Sequence, residues 1–373
     1  MEPFKNLINA RTVGEIAHHV ARVCPAFDRR RFEALARAGL EQLEFKARAE
    51  HVCAALEAGL PRDFARAADA LVASLGPAGD EPGTPATSAA GLAGWAVWPL
   101  TSFIARNGLD APSLALPALH AMTQRFTAEF AIRPFIAKHP HVSFEHLHAW
   151  ARDPSPHVRR LVSEGSRPRL PWGMRLHALA QDPGPTLPLL EALQDDPSDY
   201  VRRSVANHLN DIAKDHPDVV VAWVERHLGG APATRIALLR HASRTLIKAG
   251  HAPMLGLWGV GKRLRGDAHL KLSKRRLAVG DRIELRVTLT STAARSQKLA
   301  IDYALHHVKA NGETSPKVFK GWVLDLAGHE IRELRKVHSM KPVTTRSYHA
   351  GRHLVDLRIN GRVEASAWFD LAL

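Results

Sequence analysis

The stretch Asp153-Pro-Ser-Pro-His-Val-Arg-Arg-Leu-Val162 returns 43 residues later as Asp196-Pro-Ser-Asp-Tyr-Val-Arg-Arg-Ser-Val205, with seven identical positions. A repeat of about this length is typical of HEAT and armadillo-type arrays, in which each unit is a small set of helices. One such unit cannot bury its apolar face alone, so the units stack and form an extended binding surface. Because each copy carries an Arg-Arg pair, this surface is expected to hold a row of arginines and to bind a large anionic partner.

The distribution of charge also favours an anionic partner. The chain has 373 residues, with 51 Lys plus Arg against 37 Asp plus Glu and a net charge of +14. Residues 262–373 hold 22 basic and 11 acidic residues, so most of the excess lies in the last third of the chain. A basic module joined to a nearly neutral one is typical of proteins that grip a nucleic-acid backbone. Surface charge that merely keeps the protein in solution is the alternative.

The first two-thirds of the chain is predicted to be helical, because apolar residues recur there at a helical spacing. The two Asp-Pro-Ser pieces predict helix starts at which Ser155 and Ser198 cap free backbone N–H groups. The uncharged stretch 89–105 is shorter than the roughly 18–20 residues that a membrane span requires. It is interpreted as a buried helix kinked at Pro99. Residues 1–255 are therefore predicted to form an all-α HEAT-like-repeat solenoid.

The last third of the chain is predicted to be a β-sandwich. From about residue 268 apolar and polar residues alternate, which predicts seven short strands, the first over His269–Leu277. The pair Asn360-Gly361 between two of these runs is a strong hairpin signal. Seven strands in about 110 residues fit an immunoglobulin-like sandwich that lacks the disulfide of antibody domains. The expected fold class is therefore multidomain α + β, with a linker over 256–266 and the all-β sandwich over 267–373.

Several classes of protein are disfavoured by what the sequence lacks. Cys24 and Cys53 are the only cysteines, which predicts no disulfide framework and a reducing, cytoplasmic setting. The N-terminal residues show no apolar core of the signal-peptide type. The histidines between His139 and His148 match no standard zinc spacing, and there is no glycine-rich phosphate loop. We therefore expect no metal, no nucleotide cofactor and no membrane association.

Three segments carry a family resemblance: Thr127-Ala-Glu-Phe-Ala-Ile-Arg-Pro-Phe135, Ser163-Glu-Gly-Ser-Arg-Pro-Arg-Leu-Pro-Trp172 and Val201-Arg-Arg-Ser-Val-Ala-Asn-His-Leu-Asn-Asp211. Together they resemble the AlkC-type DNA alkylation repair proteins, relatives of AlkD within the HEAT-like-repeat DNA glycosylases. The resemblance implies a hydrolase of base excision repair that removes cationic alkylated bases, chiefly 3-methyladenine, from double-stranded DNA. It further implies that the base is not drawn into an enzyme pocket, and that an immunoglobulin-like domain follows the helices. No cofactor is required, and the clamp of two domains is expected to act as a monomer.

The resemblance assigns catalytic roles to four residues. A base that already carries positive charge is a good leaving group, so its removal needs carboxylates beside the sugar and an aromatic face rather than a strong acid. Glu129 and Asp211 are the expected catalytic carboxylates, Trp172 is the aromatic residue that faces the sugar, and Glu164 is an auxiliary that orients a ligand or water. No lysine in the three segments is an evident Schiff-base nucleophile, so no strand-cleaving lyase step is expected.

The spacing of the same residues also allows purely structural roles. Glu129 can pair with Arg125 or Arg133, each four residues away on a helix. Asp211 can be a solvated residue at a helix end. Trp172 is a core residue by default, but the neighbouring prolines favour a rigid projecting loop.

The expected DNA contacts lie at matched repeat positions, in the catalytic segments or in the basic tail. They are Phe130, Arg159, Arg160, Arg167, Arg169, Arg202, Arg203, Arg335, Lys336, Lys341 and Arg346. Neighbours on a helix point about 100° apart, so one arginine of each pair can face DNA while the other pairs with an acid. Internal Asp–Arg pairs in the repeats, and a charged strand edge in the tail, are the alternatives.

The sequence is compatible with two functions. The first is a monofunctional DNA-3-methyladenine glycosylase of the cytoplasm, associated with the nucleoid when it is bound to DNA. The second is a non-enzymatic HEAT-repeat scaffold that binds DNA or a protein partner. The scaffold uses the arginine rows and the basic tail but gives Glu129 and Asp211 no role.

Overall fold

The computed structural model describes residues 4–79, 83, 85–343 and 346–373, and all that follows concerns these residues. Sixteen α-helices within them, α1 to α16 in chain order, are Ala10–Val23, Arg29–Arg37, Phe45–Gly59, Phe64–Ala73, Val97–Asn107, Pro112–Thr123, Arg133–Lys138, Pro140–Trp150, Pro156–Gly165, His177–Gln181, Leu187–Leu193, Asp199–Ile212, Pro217–Leu228, Ala233–Ala242, Arg244–Ala249 and Ala252–Leu257. Eight β-strands follow, β1 to β8: Gly266–Leu272, Arg276–Ala278, Arg282–Ser291, Gln297–Val308, Thr314–Leu326, Ile331–Ser339, Gly351–Ile359 and Arg362–Ala372. The predicted fold class, a helical-repeat part followed by an all-β part, is confirmed.

The chain forms two compact units. One comprises the residues up to Asp215 together with Ala231–Ala242, and it contains α1 to α12 and α14. The other comprises His216–Gly230 and Ser243–Leu373, and it contains α13, α15, α16 and all eight strands. The functional boundaries at residues 255 and 267 stay predictions.

The two copies of the repeat begin helices α9 and α12 in the same way. The carboxylate of Asp153 accepts a hydrogen bond from Ser155 N at 2.8 Å, and that of Asp196 accepts one from Ser198 N at 2.8 Å. Neither serine side chain caps its helix, so the predicted caps are wrong. The aspartate side chain two residues earlier closes the turn instead, as Asx turns do.

The first arginine of each pair fastens its own repeat. Arg159 Nη1 donates to the carbonyls of Asp153 and Pro154, both at 2.8 Å, and Arg202 Nη1 makes the two equivalent bonds at 2.6 and 2.8 Å. Arg159 also grips the Asp196 carboxylate through Nε at 2.6 Å and Nη2 at 3.0 Å. This fork of two charge-assisted bonds joins the first copy to the second.

The uncharged stretch 89–105 is mostly buried from Gly91 onward, but it is not a kinked helix. Helix α5 begins at Val97, so Pro99 lies in its first turn, where the missing N–H breaks no helical hydrogen bond. In the described part of the chain, no helix combines the length and the apolar character needed to cross a membrane.

The strands form two sheets with the orders β1-β3-β6 and β2-β8-β7-β4-β5. The prediction of seven strands is wrong at one place, because the expected strand His269–Leu277 is divided between β1 and β2. Strand β1 pairs with β3, whereas β2 pairs with β8 in the other sheet. The chain therefore crosses between the sheets within this segment, which alternation alone does not reveal. Buried side chains such as Leu285, Ile301 and Phe369 fill the space between the sheets.

The predicted hairpin at Asn360-Gly361 joins β7 to β8. Both residues have positive φ, 50° and 79°, as a two-residue turn of type I′ requires. The Asn360 side chain also accepts a hydrogen bond from Ala300 N at 2.8 Å, so the turn is tied to the neighbouring strand β4.

Candidate active site

Three carboxylates and three cations alternate through the helical unit. Each contacts the next, and we call this series the ion chain: Glu129, Arg160, Glu164, Arg167, Asp211 and Lys214. Two of its members lie one turn apart on α9, and another lies near the end of α12. The packing of these two helices brings Glu164 and Asp211 together, and Arg160 of α9 ties Glu129 to them from a separate turn.

Glu129 occupies a turn before α7. Its Oε2 accepts a hydrogen bond from Thr127 Oγ1 at 2.8 Å and forms an ion pair with Arg160 Nη1 at 2.7 Å, and its side chain is 12% exposed. The pairing with Arg125 or Arg133 that the spacing allowed does not occur, because both guanidinium groups donate to backbone carbonyls. Glu129 Oε1 has no hydrogen-bond partner among the described residues, so this oxygen is available to a ligand or water.

Glu164 and Asp211 are more deeply buried, with side chains that are 7% and 2% exposed. Arg167 bridges them, since Nη1 donates to Glu164 at 2.6 Å and Nε donates to Asp211 at 2.8 Å. Ser204 Oγ donates to the second oxygen of Glu164 at 2.5 Å, and Lys214 Nζ donates to the second oxygen of Asp211 at 2.8 Å. Asp211 is therefore not a solvated helix end, and both carboxylates have fixed orientations.

The cations inside the ion chain keep their charge. Burial works against the charge of Arg160, but its two carboxylate neighbours raise the pKa of its guanidinium above the usual range. The same balance of burial against two carboxylates raises the pKa of Arg167. Arg160 also lies over the ring of Tyr200, with Cζ 4.8 Å from the ring centroid. The ion chain thus alternates three carboxylates with three cationic side chains.

Arg133 is fully buried and holds a loop in place. Its Nη1 donates to the carbonyls of Gly165 and Arg167 at 2.8 and 2.7 Å, and its Nε donates to that of Met174 at 2.6 Å. These carbonyls lie at the two ends of residues 165–174, which we call the Trp loop. Burial and then the nearby Arg167 charge lower the pKa of Arg133 to about 10, so it remains a cation at neutral pH.

Trp172 projects from the Trp loop with 79% of its surface exposed. It has φ of 64°, in the left-handed region that a tryptophan rarely adopts. Gly173 N donates to Leu170 O at 3.2 Å, so the residues 170–173 form a β-turn with Pro171 in its second position and Trp172 in its third. Glycine is the usual residue at the third position when φ is positive there. Such strain costs about 1–3 kcal/mol and is found most often at functional sites.

Phe130 is half-buried and lines the same cavity as Trp172. Its ring stacks on that of Trp98, with centroids 5.9 Å apart and an interplanar angle of 29°. The cavity has a volume of about 660 Å³, and Phe45 also lines it. We call it the aromatic groove. It extends from Trp172 toward helices α3 and α5.

The remaining predicted arginines of the helical unit divide into paired and available side chains. Arg159 and Arg202 bond to the backbone of their own repeats, as described above. Arg169 Nε donates to Asp215 at 2.6 Å. Arg203 is exposed and forms no hydrogen bond or ion pair with the residues that the structure describes. Of the two Arg-Arg pairs, Arg203 is thus the member most accessible to a phosphate.

The predicted tail residues lie on β6 and in the segment after it. Arg335 is 3.9 Å from the nearest carboxylate and its side chain is 63% exposed. Lys336 lies over the ring of Trp322 at 5.8 Å, and Lys341 is exposed. Arg346 Nη1 lies 2.7 Å from Nε2 of a buried histidine, to which it donates. Three of the four predicted cations are therefore open to a partner.

His208, on α12 of the helical unit, has a structural role. His208 Nδ1 donates to Ser163 O at 2.9 Å, and burial followed by the Arg167 charge lowers the pKa of His208 to about 3. It is therefore neutral at physiological pH. No group of three or more His, Cys, Asp or Glu side chains suited to a metal ion occurs within the described ranges.

Three residues that hold the candidate site together were not identified from the sequence. Arg133 was considered only as a partner of Glu129, although an arginine between apolar residues and before Pro134 signals a buried charge. Ser204 and Tyr200 carry no such signal, because their contacts depend on how α9 and α12 pack.

The chain is similar to known proteins along its whole length. The family described as "DNA alkylation repair enzyme" matches residues 125–246, and the family described as "Uncharacterised protein YhaZ, C-terminal Ig-like domain" matches residues 267–373. A Bacillus subtilis (strain 168) protein described as uncharacterized protein YhaZ is 35% identical over 373 residues, which is all of both chains. The alkylpurine DNA glycosylase AlkC of Pseudomonas fluorescens, solved with DNA containing an abasic site analog, is 35% identical over all of both chains, with a TM-score of 0.90.

Proposed function

Because this chain belongs to the AlkC-type family of DNA alkylation repair proteins, we propose that it is a DNA glycosylase that hydrolyses the N-glycosidic bond of cationic alkylated bases, chiefly 3-methyladenine. The observation that carries the proposal is the convergence of Glu129, Glu164 and Asp211 in one ion chain near the exposed Trp172. A scaffold has no need for three buried carboxylates, which are costly to desolvate.

The reaction does not require a strong general acid, because the base leaves without being protonated. The bond between C1′ and N9 breaks with its electron pair going to the base, which neutralises the positive charge of the ring. Positive charge then develops on the sugar, where fixed carboxylates stabilise it. A water molecule adds to C1′ and gives up a proton. Glu129 Oε1 is the oxygen with a free lone pair that can orient this water and accept the proton.

Asp211 acts through its fixed negative charge. Arg167 holds one of its oxygens from within the protein, while Lys214 holds the other with a side chain that is 39% exposed. A phosphate of bound DNA competes for Lys214, which then leaves one oxygen of Asp211 free to face the sugar. Trp172 supplies the aromatic face, because a ring quadrupole attracts both the cationic base and the cationic sugar.

Double-stranded DNA is the proposed partner, and a monomer of this chain is the proposed active form. The structure of the relative AlkC contains DNA with an abasic site analog, and an abasic site is what a glycosylase leaves behind. Arg203, Arg335, Lys336 and Lys341 are proposed to contact phosphates, because their charges are accessible. The predicted contacts Arg159, Arg160, Arg167 and Arg202 bond internally in this structure, so they are proposed to shape the site.

The direct test is release of base from methylated duplex DNA. Glu129→Gln and Asp211→Asn each remove one fixed charge, and we expect each to slow release by about 10²-fold or more. Glu145→Gln is the matched control, since Glu145 is exposed on α8 outside the ion chain. Full activity in both site variants would overturn the catalytic assignment, and no release by the unmodified protein would favour the scaffold.

Substrate range tests the cation-driven mechanism separately. Without a strong general acid, release of uracil from duplex DNA should be far slower than release of 3-methyladenine, because uracil carries no positive charge to be neutralised. Methylated single strands should also be poor substrates, since they lack the paired backbones that the protein grips. Comparable rates on uracil would exclude this mechanism.

A further inference from the structure

The aromatic groove has properties that the cleavage step does not use. Phe45 lines it from α3, Trp98 from α5 and Phe130 from the turn before α7. Trp172 and Met174 line it from the Trp loop. Its volume of about 660 Å³ lies within the range of roughly 300–1,000 Å³ that is typical of small-molecule sites. A base fits in such a space, whereas a duplex does not.

The rings of the groove are arranged as stacking surfaces. Trp98 meets Phe45 edge to face, with centroids 5.1 Å apart and an interplanar angle of 81°, and it meets Phe130 nearly in parallel. Phe45 and Phe130 are only half-buried, and Trp172 is mostly exposed. Partly exposed aromatic rings that line an open cavity attract flat aromatic ligands, and this attraction tolerates any base because every base has a π-face.

The charges of the groove favour a neutral occupant. Glu44 and Glu50 line it together with Lys46 and Arg106, so the ionised lining residues balance to zero. Glu50 is already paired with Arg106 through one of its carboxylate oxygens. Arg106 is paired with Glu50 and Glu57 and Glu44 with Lys5, so the exposed Lys46 is the one lining cation without an ion pair among the described residues. The other carboxylate oxygen of Glu50 and the hydroxyl of Ser102 can still accept hydrogen bonds from an amino group.

We propose that the aromatic groove receives the free purine base that the reaction releases. This proposal rests on the proposed function. Cleavage leaves the electron pair of the broken bond on the base, so the base becomes a neutral, flat molecule with an amino group, which matches the groove in charge, shape and hydrogen bonding. Trp172 and Phe130 belong both to the cleavage site and to the groove, so the base passes from one to the other along continuous aromatic surface.

The test is a ligand-observed NMR titration of the full-length protein with free 3-methyladenine. We expect saturable binding in the roughly millimolar range, because stacking of a single base is a weak interaction. Ser102→Leu fills part of the groove and should weaken binding about tenfold. Phe45→Ala removes one stacking ring and should have a similar effect. Phe144→Ala, a change to a half-buried ring outside the groove, is the control and should leave the affinity unchanged.

The outcomes separate this inference from the proposed function. The titration needs no catalysis, so it reports on the groove whether or not the protein cleaves DNA. Absence of saturable binding to a protein that releases base from methylated duplex would overturn the inference and leave the function intact. Binding that survives both groove variants would equally overturn it, since the base would then occupy another site.

Discussion

Replacing Arg133 by methionine should disable the Trp loop while the helices stay folded. The substitution removes the donors to the carbonyls of Gly165, Arg167 and Met174, all three at 2.6–2.8 Å. Each buried carbonyl left unpaired costs about 1–3 kcal/mol, so the loss of stability from all three has an upper bound near 9 kcal/mol. Methionine is easier to bury than a guanidinium, and the loop can rearrange toward water, so we expect a net loss of about 3 kcal/mol.

The loss should be local, because the clamp supports one strained turn. Without it, the positive φ of Trp172 is no longer held in place, and the indole should leave its position in the lining of the aromatic groove. Arg133→Lys should behave almost as badly, since one ammonium group cannot span three carbonyls at once. A loss of about 3 kcal/mol corresponds to amide exchange in the Trp loop that is roughly 10²-fold faster.

Two measurements on Arg133→Met test this prediction. They are the amide hydrogen exchange rates of residues 165–176 and the rate of base release in a single turnover. The control is Arg125→Met, because Arg125 also donates to two backbone carbonyls, those of Gly76 and Ala121, but away from the Trp loop. That variant should lose stability and retain base release. Normal exchange in the Trp loop together with full base release in Arg133→Met would refute the clamp.

Two further predictions concern the second unit. Burial, and then the Arg346 charge, lowers the pKa of His307 to about 3 and that of His338 to about 4, whereas both titrate near 6.5 when unfolded. As the pH falls, the unfolded chain therefore binds these protons before the folded unit does. The free energy of unfolding of the unit should fall by about 2–3 kcal/mol per pH unit between roughly pH 6 and 4, as measured by urea unfolding. A free energy of unfolding that does not change over this range would contradict the burial of these rings. Replacing Lys336 and Lys341 by alanine should weaken DNA binding and reduce the slope of log affinity against log salt by about 1–2, and an unchanged slope would show that neither contacts phosphate.

The sequence predicts most of the fold because its signals are local. The repeat at Asp153 and Asp196 indicated the helical array, and Asn360-Gly361 placed a hairpin, since both depend on residues close together in the chain. The division of His269–Leu277 between two sheets was missed. Alternation reports which side of a strand is buried, but it does not report which sheet the strand joins.

The candidate site was predicted less completely, because its contacts are distant in sequence. The family resemblance identified Glu129 and Asp211, but the chain of cations that holds them depends on pairs such as Arg160 with Glu129. Arg133 reaches carbonyls 32 to 41 residues away, which no periodicity reveals. The serine caps failed for a related reason: the aspartate and the serine compete for the same turn, and their spacing does not say which one closes it.

The joint between the two repeats has a consequence for how such a protein grows in evolution. Arg159 and Asp196 occupy different positions of the same repeated motif. A duplicated segment therefore carries both the arginine that donates to the next repeat and the aspartate that accepts from the previous one. A tandem duplication can therefore lengthen the array without inventing a new contact. The same joint is not formed on either side of these two copies in the described residues. Asp153 meets His120 at 2.7 Å instead of an arginine, and Arg202 pairs with Asp199 of its own helix.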